Sequence, residues 1–332
     1  MPPPFILVGL AAGFATALLF ASASAGGMTG RVLLFFLAPL PCYLAGLGWG
    51  SAAAALAAVS SAVGASLVLG VRTGAVFFLS QGIPLMVLCH LALLNRPAMA
   101  APQVPGGPPP LEWYPIGRII AIATLMAGSL AFLSIILLGN DLDQLKAMMR
   151  ELVEKVFLKQ LPGFGGGKLG EPEIDALAEL LLFALPAGSA LLWLGGFMLN
   201  LWLGGKITLI SSRLARPWPD VSTIRFPRGF GLGLAASLAA LMLPGFGGLL
   251  ASGFTGAFLF AYMLMGLAII HSATRGLPAR PFILWGLYLT LFVLNTWAGL
   301  VIALIAVAEP LLPWRRPPEG SSPPPAPPPT TT

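Results

Sequence analysis

The side chains that could do chemistry in this chain are few, and they sit where water is scarce. Two amides, Gln81 and Asn200, and two imidazoles, His90 and His271, lie inside or at the ends of long apolar runs. Glu179 and Glu309 are the carboxylates that fall in such runs, both near segment ends. Proton-driven antiport needs an acid at mid-depth, so this placement argues against it. No glycine-rich loop ends in Lys-Ser or Lys-Thr to cradle phosphates, no Cys/His cluster has metal-ligand spacing, and no His/Asp or paired-carboxylate constellation marks a transferase. The expectation is a protein that is not an enzyme and has no catalytic, cofactor or metal residues. An amide at depth can instead bind, so Gln81 and Asn200 either line a polar cavity or close interhelical hydrogen bonds.

The elements that hold these amides follow from composition. Of 332 residues, 57% are hydrophobic and 9% charged, against about 25% charged in soluble domains, so a soluble fold is excluded. The class is all-α: a polytopic integral membrane helical bundle of about nine spans, eight to ten, with one interfacial amphipathic helix. The net charge of +6 gathers in loops beside apolar runs, which suits anionic lipid headgroups and not nucleic acid. Cys42 and Cys89 lie in apolar segments, behave as small hydrophobes and form no disulfide.

A run of about 20 apolar residues crosses a hydrocarbon core. Such runs occupy 5–25, 31–48, 51–70 and 74–94, then 116–138, 177–204, 230–250, 254–272 and 282–312. In the first, Gly9, Gly13, Ala17, Ala21 and Ala25 recur at every fourth position and make one small-residue stripe. The stripe is a docking face for another membrane protein, or it packs against a helix of the same chain. Ala21-Ser22-Ala23 also resembles a signal-peptide cleavage site, but the opening Met-Pro-Pro-Pro has no basic residue. Pro39, Pro41 and Pro84 interrupt spans and predict kinks. The last run makes about 46 Å of helix, too long for one upright span and short for two, with Asn295–Gly299 as a possible turn.

Between the fourth and fifth runs, 95–115 is a Pro-rich linker expected to be extended and poorly ordered. Residues 140–161 are amphipathic: Leu142, Leu145, Met148, Met149, Leu152, Val153, Val156 and Leu161 follow the spacing of one helical face. Asn140 or Asp141 caps the start, and the apolar face lies flat on the membrane or covers the bundle. The domains are thus a four-helix membrane region, 1–94, the linker, and a second membrane region, 116–312, carrying the amphipathic helix and a basic loop, 205–229. A Pro-rich tail, 313–332, is expected to be disordered.

That basic loop orients the chain. It holds Lys206, Arg213, Arg216, Arg225 and Arg228 against Asp220, and basic loops stay in the cytoplasm. With the amino terminus inside, His90, Arg118, Lys206, Arg216, His271 and Arg275 reach one face. They form either a cluster for an anion, whether lipid phosphate, anionic substrate or acidic partner, or scattered positive-inside anchors.

Several strings carry a family resemblance. Trp113-Tyr114-Pro115 before a span, Asn200-Leu201-Trp202-Leu203, Arg216-Pro217-Trp218-Pro219, Phe226-Pro227, and His271 followed by Arg275-Gly276 resemble the YybS-like family of bacterial membrane proteins of unknown function. That family is distantly similar to the substrate-binding membrane components of energy-coupling-factor vitamin transporters, whose first helix docks a partner through small residues. The resemblance implies a multi-pass protein of the bacterial inner membrane, with the stripe from Gly9 to Ala25 as docking face. Two functions follow. One is a substrate-binding or permease subunit for a small molecule; the other is a structural or assembly protein that recruits lipids or partner proteins.

The orientation has a direct test. Ser222→Cys and Pro105→Cys, in a background without Cys42 and Cys89, should react with an impermeant maleimide only after cells are opened. Gly166→Cys should react in cells whose outer barrier alone is permeabilised. Labelling at Ser222→Cys in those cells would invert the orientation.

Overall fold

In hydrocarbon every backbone N–H and C=O must be satisfied within its own segment, so apolar runs of this length fold as helices and change direction where Gly or Pro allows. The computed structural model describes residues 3–25, 28–98, 110–139, 141–158, 170–220 and 224–309. The middle of the linker, Ser222, the distal end of the amphipathic segment with Gly166, and the expected disordered tail lie outside the described residues.

The order of elements is α1 (Pro4–Ala25), α2 (Met28–Leu37), α3 (Leu40–Trp49), α4 (Ser51–Leu69), α5 (Val71–Phe77), a π-helical turn (Phe78–Gly82) and α6 (Ile83–Leu93). Then come β1 (Asn95–Pro97), β2 (Leu111–Trp113), α7 (Ile116–Leu138), α8 (Leu142–Leu152) running into a second π turn (Val153–Leu158), and α9 (Glu171–Ile210). The last are α10 (Phe230–Ala240), α11 (Phe246–Ala273), α12 (Arg280–Leu294) and α13 (Thr296–Ala308). Among the described residues, 7 helical stretches are long and apolar enough to cross a membrane, and α10, α12 and α13 are apolar but shorter.

Punctuation explains where expected and observed boundaries differ. Gly50 (φ 98) alone joins α3 to α4, and Gly70 (φ 94) alone joins α4 to α5. Only glycine takes that backbone cheaply, so Val71–Gly74 becomes the first turn of α5 instead of a loop. The expected spans 230–250 and 254–272 are redrawn because Gly245 (φ 66) turns the chain ahead of α11. Asn295 (φ 41) breaks the last run into α12 and α13, as its mid-run turn residues suggested. The linker flanks are paired, not free: β1 and β2 form an antiparallel ladder, with Arg96 opposite Glu112. The hydrogen bond from Arg96, then its charge, holds the Glu112 carboxyl below its ordinary range.

Contacts divide the described chain into two units: residues up to Asp220 with Ile224–Ala261, and those from Tyr262 onward. In the first, the small-residue stripe finds its partner inside the chain. A Cβ on Gly13 would fall 2.7 Å from the Ala57 carbonyl oxygen, and one on Gly9 3.1 Å from that of Ala53. Ala17 meets Gly64, where a Cβ would come within 2.7 Å of it. α4 answers small residues with small residues, Ala53, Ala57 and Gly64, so the helices approach to backbone contact. Gly9, Gly13 and Ala17 are therefore not a free docking face for a second protein. Ala21 is half-buried at the far end of the same helix, and Ala25 is its last residue.

The amphipathic helix also packs inward. Leu145, Met149 and Val153 are buried with Ile135 of α7, Ile174, Ala178 and Leu182 of α9, and Leu249 of α11. Its apolar face rests on the bundle and does not lie open to lipid as a flat interfacial helix would. Arg150 fixes it there through Asp175, at 2.9 Å, and Glu171. The arrangement is possible because α9 has 40 residues, about 60 Å, twice the hydrocarbon thickness. Its acidic first turns give α8 a surface to cover.

In the second unit, the end of α11 packs on α13. A Cβ on Gly266 would fall 2.7 Å from Ile302 Cγ2, and one on Gly299 3.1 Å from Met263 Sδ. α12 buries none of its residues, and Phe282, Trp285 and Phe292 are exposed.

The α1–α4 contact predicts that Gly13→Leu forces backbones apart, whereas Leu18→Ala, on the exposed opposite face, does not. We expect Gly13→Leu to cost roughly 1–3 kcal/mol or more, seen as a lowered thermal midpoint in detergent. Equal midpoints for the two variants would rule out close α1–α4 packing.

Candidate functional site

Pro39 creates the site. It ends α2 at Leu37, so the last carbonyls of α2 lack helical partners. The Phe36 carbonyl is met from α9: Asn200 Nδ2 donates to it at 2.7 Å and to the Gly196 carbonyl at 2.8 Å. This fixes the amide, because a flipped Asn200 would press its oxygen against two carbonyl oxygens. The remaining atom, Oδ1, is buried and accepts nothing. Asn200 is only 2% exposed, so water outside the protein does not satisfy that oxygen.

Oδ1 belongs to a residue lining a cavity of about 920 Å³. The walls come from the ends of α1 and α4, from α2, from the start of α5, from the π turn and from Ser189–Asn200 of α9. Aromatic rings dominate: Phe35 lies 6.3 Å from Phe20 and 5.9 Å from Trp193, which stacks on Phe197 at 6.2 Å. Trp193, Phe197 and Asn200 share one face of α9 by their spacing. Gln81 reaches the same cavity from the π turn. Pro84 explains that turn. It has no N–H and its ring crowds the carbonyl of Ser80, so the ladder relaxes and the Ile83 N–H reaches back to Phe78. Single π turns of this kind recur at functional sites.

The structure thus brings Gln81 and Asn200 together on one cavity. Among the described lining residues the other polar ones are Thr73 and Ser189, and none is ionisable. The aromatic walls were not singled out in the sequence, although the Trp193, Phe197, Asn200 spacing on one helical face could have pointed to them.

The basic residues lie at the other end of the same unit, where α3, α6 and α9 finish and α4 starts. Lys206 Nζ sits 4.1 Å over the Trp218 ring and Arg213 4.8 Å over Trp49. Arg216 Nη1 donates to the Ala92 carbonyl at 3.2 Å, where the negative end of α6 suits a cation. Burial pushes the Arg216 guanidinium below its ordinary value. His90 Nδ1 lies 3.2 Å from Ser51 Oγ, and Arg118 6.0 Å from the Tyr114 ring. Lys206, Arg213 and Arg216 latch the loop after α9 onto helix ends and rings, while His90 and Arg118 stay with Ser51 and Tyr114. His271 and Arg275 belong to the second unit, where His271 Nε2 is 2.9 Å from Tyr288 Oη. Arg213, left out of the expected cluster, is part of the latch.

Against known proteins, no family model, no curated protein and no solved structure matches the chain. Function is therefore argued from the cavity itself.

Proposed function

We propose that the chain is a multi-pass protein of the bacterial inner membrane that binds a small molecule in its first unit, as a substrate-binding or permease subunit. The observation that carries this reading is the buried, unpartnered oxygen of Asn200, a residue that lines a cavity of about 920 Å³. Cavities of this size hold drug-sized ligands, and a few convergent polar groups in apolar walls set orientation. A sequence without a phosphate-binding loop leaves movement to a partner that supplies energy. The quoted strings support membership of the YybS-like family. The assembly alternative called for an open small-residue face, and Gly9, Gly13 and Ala17 are covered by α4.

With the basic loop in the cytoplasm, the amino terminus is inside and the cavity opens toward the outer half of the membrane. The 7 long stretches, with α10, α12 and α13 each able to add one, give seven to ten crossings.

Native mass spectrometry of gently extracted protein tests the reading, with Ser189→Trp filling the cavity. We expect a small non-lipid adduct on the native protein that is lost from a folded Ser189→Trp. Identical adduct spectra, or no such adduct on either, would contradict it.

A further inference from the structure

Resting on that binding reading, we infer that the molecule taken is an uncharged, largely apolar ring compound that presents an N–H or O–H donor to Asn200 Oδ1. Three observations converge on this class. First, none of the described cavity-lining residues is ionisable, and an ion moved into apolar walls without a counter-charge is strongly disfavoured. Lys206, Arg213 and Arg216 are at the opposite end of the unit, held against rings and a helix end, and Arg72, the neighbour of the lining residue Thr73, is exposed. The described walls therefore offer an anion no counter-charge.

Second, the walls suit a flat ring. Phe20, Phe35, Trp193 and Phe197 form a connected series of rings along one side, and aromatic pairs gain from tilted or offset contact beyond area alone. Third, Asn200 sets the polarity of recognition. Both of its N–H groups are spent on carbonyls, so only an acceptor is offered and the ligand must bring the donor. A lipid acyl chain could fill apolar space but would leave Oδ1 as unpartnered as it stands. Gln81 adds an amide able to donate and accept, which tolerates a second polar group on the ring.

The smallest member of the class makes the test clean. The full chain in nanodiscs is titrated with 5-fluoroindole and with 1-methyl-5-fluoroindole, read by fluorine NMR and corrected with empty nanodiscs. The two share ring and charge and differ in the single donor. We expect the N–H compound to bind about tenfold more tightly, the usual scale for leaving a buried acceptor unpaired. Asn200→Leu should reduce that ratio to about one, and 5-fluoroindole-2-carboxylate should not compete. The native-protein ratio stands as a test even if Asn200→Leu does not fold. Equal affinities overturn the donor inference; if Ser189→Trp then abolishes both, the cavity still binds small molecules and only the class is wrong. No binding of either compound also overturns the inference, and if phospholipid is then the only adduct in the mass spectrum, the binding reading falls with it.

Discussion

A carbonyl freed from its helix inside hydrocarbon has no water to turn to, and leaving it unpaired costs several kcal/mol. Pro39 frees such carbonyls at the end of α2, and much of the first unit is arranged around the answer. Asn200 of α9 reaches across to Phe36, which ties α2 to the long helix and commits both amide hydrogens. The same commitment leaves Oδ1 without a partner among the aromatic rings between α2 and α9. One helix break thus both fastens the bundle and opens its one-sided polar site.

The rest of the unit gives that break a rigid frame. α1 and α4 approach through Gly9, Gly13, Ala17 and Gly64, and α3 joins them as Cys42 Sγ meets Thr16 Oγ1 at 3.1 Å. Gly204 lets α9 close on Tyr43 of α3. At the far end the basic loop clamps the ends of α3 and α6 through Arg213 and Arg216. Small residues and caged cations hold the helices at one end, and the bulky rings of Phe20, Phe35 and Trp193 keep them apart at the other.

Sequence reasoning reached the helical class, the pairing of Gln81 with Asn200 and the existence of a packing stripe, because each rests on a residue that is costly where it stands. It could not say what the stripe packs against, since Gly13 would suit α4 or a foreign helix equally. The amphipathic segment shows the same limit. Leu145, Met149 and Val153 mark an apolar face by their spacing, but lipid and protein interior are equally apolar, so spacing cannot tell which one covers them. Burial of a ring such as Phe197 is hidden for the same reason: in a membrane helix the inner and outer faces look alike. The turn at Gly70 was missed because Val71–Gly74 reads as a loop until one glycine is seen to do all the turning.

The most direct measurement is a density map of the full chain in a lipid nanodisc, read at hydrogen-bond distance from Asn200 Oδ1. The account predicts compact, ring-shaped non-protein density lying among Phe35, Trp193 and Phe197 and touching that oxygen. Featureless chain-like density with no polar atom at Oδ1, or a collapsed cavity in which a protein donor pairs it, would contradict the account.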